Sequence, residues 1–303
     1  MDIYDILIIG GGCAGLTAAI YGARADKRVL VIEGGSIGGQ ISSSPKVENY
    51  PGFSEISGME FSDRLHEQAK GLHVEIAFDT VKKADILPNK EIVLQGESGT
   101  YRGRNLIIAA GSKHRQLGLE REEALTGKGI SYCAICDGAF FKGKPVAVVG
   151  GGSSALQSAE LLCGYCSKVY LIHRRDRFRG EEQLVKRLRQ KANLELVLNA
   201  NVVKLLGGDS LCGVVTTDAR DGTERVLDIS GLFIAVGQIP QNEIYRDLVD
   251  LNEAGYILAG EDCRTKTEGV FAAGDCRQKD VRQLTTAAAD GSVAALAAVQ
   301  RLS

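Results

Sequence analysis

Cys133-Ala134-Ile135-Cys136-Asp137 carries the most explicit chemistry in this sequence. Two residues between cysteines let the pair close as a disulfide. A Cys-x-x-Cys arrangement also lowers one thiol pKa, so that a thiolate can attack at neutral pH. A carboxyl directly after the second cysteine can carry a proton to a departing thiolate, and Asp137 reads as an acid–base partner. A second pair, Cys163-Gly164-Tyr165-Cys166, raises two further readings. As half of a zinc site it is disfavoured. Residues 137–162 between the pairs exceed the ~15–20 of the four-cysteine pattern and include a nucleotide-type strand, loop and helix. No metal is expected. As a second redox couple the pair would lie at the end of a helix, where cysteine packs as a small hydrophobe, and packing is the preferred reading. Cys13, Cys212, Cys263 and Cys276 stand alone and read as packing residues.

Two glycine runs supply the remaining chemistry: Gly10-Gly11-Gly12-Cys13-Ala14-Gly15 and Gly150-Gly151-Gly152-Ser153-Ser154-Ala155. In each, the first glycine makes a turn and the second, Gly12 or Gly152, lets a pyrophosphate approach the backbone. The third position, Gly15 or Ala155, lets helix pack on strand. Ala14 and Ser154 share those loops. The interval from Gly10 to Glu33 equals that from Gly150 to His173, and the two end points differ in kind. Glu33 can accept hydrogen bonds from an unphosphorylated adenosine ribose, as in FAD or NAD. The other end reads His173-Arg174-Arg175-Asp176-Arg177-Phe178-Arg179, guanidinium groups suited to a 2′-phosphate. A charge run is usually a solvated face, but its place at the end of a nucleotide-fold strand favours NADPH. Strands over 106–111, 232–237 and 269–274 each end in small residues and a glycine, Gly111, Gly237 and Gly274. Asp275 then follows; it can bond a polyol such as a ribityl chain or, read alone, cap the next turn.

These groups need elements to hold them. Asp5–Ile9 and Val146–Val149 read as buried strands entering the glycine loops. Helices follow over 16–25 and 156–162, then strands over 28–32 and 168–172. The chain therefore holds two copies of a strand–turn–helix–strand unit in 303 residues, enough for more than one core. Gly is 37 of 303, about one in eight against a usual ~7%, while Pro is only 5, which suits tight backbone approaches in folded structure. Lys plus Arg of 36 against Asp plus Glu of 38 leaves a charge of -2, which excludes a basic field for nucleic acid. No apolar run approaches the ~18 residues of a membrane span. The acidic start Met1-Asp2-Ile3-Tyr4-Asp5 is unlike a secretory signal, so a cytoplasmic protein is expected.

With these motifs the sequence resembles the low-molecular-weight thioredoxin reductases of bacteria over nearly its whole length. The resemblance also rests on Gly38-Gly39-Gln40-Ile41, Glu48-Asn49-Tyr50-Pro51-Gly52-Phe53, Gly274-Asp275 and Arg282-Gln283. It implies FAD between the first loop and Asp275, Arg282 and Gln283, with Gly39, Gln40, Asn49 and Gly111 in the same site. It implies NADPH held by Gly150, Gly152, Ser154, Ala155, His173, Arg174, Arg175, Arg179 and Gly237. It further implies that Cys136 faces the flavin, that Cys133 attacks thioredoxin, that Asp137 is the acid–base catalyst, and that the protein is a homodimer. Three departures stand out: Gln157-Ser158 where many members have two glutamates, Ile135 where threonine is common, and Glu120-Arg121-Glu122 near a missing Pro-Gly-Glu.

The expected fold is α/β, with two Rossmann-like domains and the NADPH domain inserted into the FAD domain. The spans are 1–113 and 242–303 for FAD, and 114–241 for NADPH with the Cys-x-x-Cys. Since one flavin must meet both nicotinamide and Cys136, a rotating insert is expected. Two rival functions differ in kind: an FAD-dependent oxidase of small dithiols, opposed by the intact second loop and its arginines, and a non-catalytic flavin/NADPH sensor, opposed by Cys-x-x-Cys-Asp.

Overall fold

Along the first strand, β1 (Ile3–Ile9), Ile6 and Ile8 enter one hydrophobic cluster while Leu7 and Ile9 enter another. A strand apolar on both faces demands a layer on each side, the condition of a parallel sheet. The computed structural model describes residues 3–44, 46–180 and 182–302. Met1 and Asp2 of the acidic start, and Ser303 at the end of the last expected span, lie outside the described residues. The chain divides into two compact units, Met1–Lys113 with Ile239–Ser303, and His114–Gln238. The return crossing falls between Gln238 and Ile239 rather than after Gln241. The buried Asn242 amide explains this, since it donates to Gly255 O at 2.9 Å and Cys276 O at 2.8 Å, both in the first unit.

In the first unit β1 is followed by α1 (Cys13–Arg24), β2 (Val29–Glu33), α2 (Gly58–Gly71), β3 (Glu75–Phe78), β4 (Val81–Ile86), β5 (Ile92–Gly96) and β6 (Thr100–Ile108). The crossing strand β7 (Ser112–His114) leads into the second unit. That unit holds α3 (Glu122–Leu125), β8 (Ile130–Ser131), α4 (Ala134–Asp137), β9 (Pro145–Val149), α5 (Ser153–Cys163), β10 (Lys168–His173) and α6 (Glu182–Arg189). It continues with β11 (Leu194–Leu198), β12 (Ala200–Gly207), β13 (Leu211–Asp218), β14 (Glu224–Asp228) and β15 (Gly231–Ile234). The return strand β16 (Gln238–Pro240), β17 (Val270–Ala272) and α7 (Leu284–Leu302) complete the chain.

The two sheets share one plan. In the first unit the parallel order is β3-β2-β1-β6, with β17 beside β6; in the second it is β11-β10-β9-β15-β8. The fifth strand comes last in sequence in one unit and first in the other. Helices cover one face of each sheet, α1 and α7 against Ile6 and Ile8, and α5 and α6 against Val146 and Val148. An antiparallel layer covers the other, β4–β5 in the first unit and β12-β13-β14 in the second. Both helices after the glycine loops start three residues before the sequence reading puts them, at Cys13 and Ser153. Small loop residues that read as turn already form the first helical turn.

Cys212 corrects a reading: it is exposed, not packed. It lies on β13 between buried Leu211 and Gly213, so strand alternation turns it to solvent. Cys13, Cys263 and Cys276 are buried, and burial pushes each thiol up to about 12. Cys163 ends α5 half-buried and Cys166 is buried in the same core, where desolvation raises its pKa to about 11. The Asn193 amide donates to both of their carbonyls at 3.0 Å. Among the described residues no helix is long and apolar enough to cross a membrane.

Candidate functional site

In the first unit, β1 runs into a loop that only small residues can form. Gly10 has φ +100°, and a Cβ there would lie 2.3 Å from Ala109 O; one at Gly15 would lie 1.8 Å from Gly10 O. Gly12 caps α1 in extended conformation without a side chain, which leaves first-turn N–H groups for an anion. The Glu33 carboxylate is fixed beside this loop, accepting from Gly11 N at 2.5 Å and Gly35 N at 2.7 Å. Gly38 N donates to Gly11 O, which brings Gly39 alongside Gly12. Gln40 Nε2 donates to Ser112 O, and Asn49 Nδ2 to Gln283 Oε1 at 3.1 Å.

Gly274 meets the same loop from β17. A Cβ there would lie 2.9 Å from Ala14 Cβ. Asp275 is next, with Oδ1 buried and without a partner; burial pushes its carboxyl up, while Lys279 and Arg282 pull it down. Arg282 stacks over Tyr256 at 4.2 Å, and its Nε is likewise buried and unpartnered. Gly111 has open space where a side chain would be. An orphaned carboxylate oxygen, an orphaned guanidinium N–H and a bare helix N-terminus suit a ligand with hydroxyls and phosphates, such as FAD.

A residue that the sequence reading missed holds this arrangement. Asp290 on α7 accepts from Gly274 N at 2.9 Å, Arg277 Nε at 2.8 Å and Lys279 Nζ at 2.8 Å through Oδ2, and from Arg277 Nη2 at 2.7 Å through Oδ1. All three side chains are buried. Burial pushes the Asp290 carboxyl up, but the Arg277 and Lys279 bonds outweigh it, and the net shift is downward.

The second loop repeats the first. A Cβ at Gly150 would lie 2.3 Å from Ala235 O, Gly152 caps α5 in extended conformation, and Ala155 is fully buried beneath the turn. Ser154 is exposed on the first turn of α5, and Gly237 has open space around it. Arg179 N donates to Gly151 O at 2.7 Å, which folds the basic segment back over the loop. Arg174, Arg175, Arg177 and Arg179 are exposed, and no group among the described residues engages their guanidinium ends. Such a cluster fits a 2′-phosphate. His173 behaves differently: its ring is buried, stacks on Phe178 at 5.2 Å and bonds Arg177 O at 3.1 Å through Nε2, so it braces the loop. Of the departures on α5, Gln157 is exposed and Ser158 half-buried.

The redox segment lies in this second unit. Cys133 and Cys136 are joined as a disulfide, with Cα atoms 5.3 Å apart. Cys136 N donates to Cys133 Sγ at 3.2 Å, and Asp137 N to Cys133 O at 3.0 Å, closing a single helical turn. Ile135 between them is 66% exposed. The Asp137 carboxyl is largely buried; burial raises its pKa against a hydrogen bond from Ser131 Oγ, and Oδ1 has no partner. Tyr132, next to Cys133, stacks on His114 at 4.7 Å and donates to Glu122 at 2.9 Å. Glu122 is buried and also accepts from the N–H groups of Leu117, Gly118 and Leu119. Arg121, just before it, adopts φ 68° and donates to Gly207 O and Gly208 O.

A search against protein-family models matches residues 4–291 to the pyridine nucleotide-disulphide oxidoreductases. The thioredoxin reductase of Listeria monocytogenes is 42% identical over 96% of this chain and 92% of its own length. That of Bacillus subtilis is 42% identical over 97% of this chain and 93% of its own. The crystal structure of thioredoxin reductase from Streptococcus pyogenes matches with a TM-score of 0.94 at 38% identity, covering 99% of this chain and 98% of that one. Matches of this extent settle the family: the chain belongs to the pyridine nucleotide-disulphide oxidoreductases and, within them, to the thioredoxin reductases.

Proposed function

We infer that this chain is a flavoprotein disulfide reductase that passes electrons from NADPH through FAD and the Cys133–Cys136 disulfide to thioredoxin. The observation that carries the reading is the closed Cys133–Cys136 turn with a buried, half-satisfied acid beside it. It shares a chain with two glycine loops whose flanking charges differ, Glu33 at one and, at the other, four arginines that no described residue engages. In this reading residues 1–113 and 239–303 bind FAD. Gly10, Gly12, Ala14 and Gly15 bring α1 to the pyrophosphate, Glu33 accepts from the ribose, and Asp275 Oδ1 accepts from the ribityl chain. Gly39, Gln40, Asn49, Gly111, Arg282 and Gln283 line the same site. Residues 114–238 bind NADPH, with Gly150, Gly152, Ser154, Ala155 and Gly237 at the pyrophosphate and Arg174, Arg175 and Arg179 at the 2′-phosphate. His173 holds that loop in shape.

Bound nicotinamide and flavin supply hydride and electron-pair transfer; the rest belongs to side chains. Once the disulfide is reduced, the Cys133 thiolate attacks a partner disulfide, forming one mixed disulfide and breaking the partner's S–S bond. The displaced partner thiolate takes a proton from Asp137. Cys136 thiolate then attacks the Cys133 sulfur, which restores the internal disulfide and releases the second partner sulfur as a thiolate that takes its proton from water, so two electrons leave in all. The Cys136 N–H that donates to Cys133 Sγ helps hold negative charge on that sulfur. In this reading the insert presents the nicotinamide and Cys136 to the flavin in turn. Reductive chemistry suits a cytoplasmic setting, and the resemblance supports a homodimer. Anaerobic titration with NADPH, then NADH, followed by thioredoxin, tests the reading. Flavin absorbance should bleach at lower NADPH than NADH and recover on adding oxidised thioredoxin. No recovery with thioredoxin would remove it.

A further inference from the structure

Ser131 belongs to no motif, yet its hydroxyl joins the two groups on which disulfide exchange depends. It is the last residue of β8, where pairing with Phe233 on β15 fixes it at the edge of the parallel sheet. The side chain is buried. Its Oγ donates to Asp137 Oδ2 at 2.6 Å and accepts from Cys133 N at 3.0 Å; a longer contact reaches Cys133 O at 3.3 Å. The one hydroxyl proton goes to the shorter partner. Asp137 Oδ1 is buried and has no hydrogen-bond partner among the described residues. A carboxyl that accepts on Oδ2 keeps its own proton on Oδ1.

We propose that Ser131 is a positioning residue for thiol–disulfide exchange: it holds Asp137 against the Cys133 turn and leaves the transferable proton on Oδ1. The proposal rests on the disulfide-reductase reading. In the exchange step the partner S–S bond breaks and the departing sulfur takes the Oδ1 proton. The resulting Asp137 carboxylate keeps the Ser131 donation on Oδ2 and is reprotonated from water. The groups that face this carboxyl are few. Ser131 is the side chain bonded to it, and Cys133 and Cys136 of the same turn are the titrating neighbours once reduced; Leu162 and Tyr165 pack on the adjoining Gly138. Among the described residues no Asp, Glu, Lys, Arg or His side chain pairs with it. Burial raises the acid and the Ser131 bond opposes that rise, so removing the hydroxyl lets the acid hold its proton to higher pH.

The test uses full-length FAD-loaded enzyme with NADPH and thioredoxin. Ser131→Ala should lower kcat/KM for thioredoxin about tenfold, part of the ~10²–10⁴ that a positioned acid contributes. It should also move the alkaline limb of that profile to higher pH. The rate of flavin reduction by NADPH, which uses neither group, should be unchanged. Ser131→Thr, which keeps the hydroxyl, should restore both rate and profile. In an Asp137→Asn background, Ser131→Ala should add less than a twofold loss. If the alanine variant loses its flavin, Ser131→Cys, similar in volume and a weak donor, takes its place. An unshifted profile, or an equal loss in the Asp137→Asn background, overturns the proposal. Wild-type enzyme that reduces its flavin but never reduces thioredoxin would instead overturn the reading beneath it.

Discussion

Replacing Arg174 and Arg175 together with alanine should change which nucleotide this protein uses without changing how well it folds. Both side chains are exposed, and neither guanidinium has a partner among the described residues, so no internal bond is lost. Stability should stay within about 0.5 kcal/mol of the parent, as for surface substitutions generally. The loss falls on the ligand. A hydrogen bond to a charged group contributes ~1.5–3 kcal/mol, and exposed side chains belong at the lower figure. Two such bonds sum to about 3 kcal/mol, and at ~1.4 kcal/mol per decade this is roughly a hundredfold in kcat/KM for NADPH. NADH has no 2′-phosphate, so its kcat/KM should move less than about twofold. Anaerobic stopped-flow reduction of the flavin by each nucleotide, at one fixed ionic strength, measures both numbers. Arg177→Ala controls for general basic attraction: its side chain lies in the same loop but has no assigned role, and its effect should be several-fold smaller. Equal losses for NADPH and NADH would refute the 2′-phosphate assignment.

Asp290→Ala should destabilise the first unit by about 3 kcal/mol and weaken FAD retention, because it strands Arg277 and Lys279 in a buried site; unfolding curves and flavin released on dilution check this. The net downward shift of Asp290 adds a pH test. Its stabilisation is present above the ordinary carboxylate pKa of ~3.9 and is lost as pH falls through the lower folded value, so Asp290→Asn should flatten the acid limb of the stability curve. Arg121→Gly should stay within about 1 kcal/mol of wild type, since release from the left-handed region offsets two exposed bonds. Arg121→Ala, which keeps the strain and loses the bonds, should be about 1 kcal/mol worse. Alanine more stable than glycine in chemical denaturation would contradict the strain argument. Cys133→Ser or Cys136→Ser should abolish thioredoxin reduction and spare flavin reduction by NADPH. Cys163→Ser and Cys166→Ser should leave turnover within twofold, with Cys166→Ser costing about 1–2 kcal/mol for a buried hydroxyl.

What could be read along the chain is what chemistry constrains within a few neighbours. Gly10 and Gly150 must be glycine because the backbone turns there against Ala109 and Ala235, and that need shows as a motif. Glu33 and His173 end β2 and β10 at equivalent positions, so the carboxylate at one end and the arginines that follow the other can be compared along the chain. Cys212 was misread because a lone cysteine carries no local sign of which strand face it takes. The antiparallel β12–β14 layer left no reading at all, since nothing in it does chemistry. Asp290 looks like one acid in an alanine-rich helix. Its meaning lies in Arg277, Lys279 and Gly274, which reach it only when α7 packs against the end of β17.

Asp137 shows where local reading stops and why. Its type and its place after Cys136 already suggest an acid. Whether it can act as one depends on whether it holds a proton near neutral pH and on which oxygen carries it. Burial pushes the carboxyl toward the first, and burial is a property of the packed unit. A hydroxyl at Ser131 decides the second, held by a sheet pairing with Phe233, far along the chain. Glu122 makes the same point. Its carboxylate gathers three backbone N–H groups and Tyr132, beside an Arg121 held in the left-handed region, and nothing in the local sequence announces those contacts. Contacts of this kind join residues that no local pattern links, whereas a reacting atom must be of one type at one place. For this reason Cys133, Cys136 and Asp137 were legible from sequence, while the residues that aim them had to be found in space.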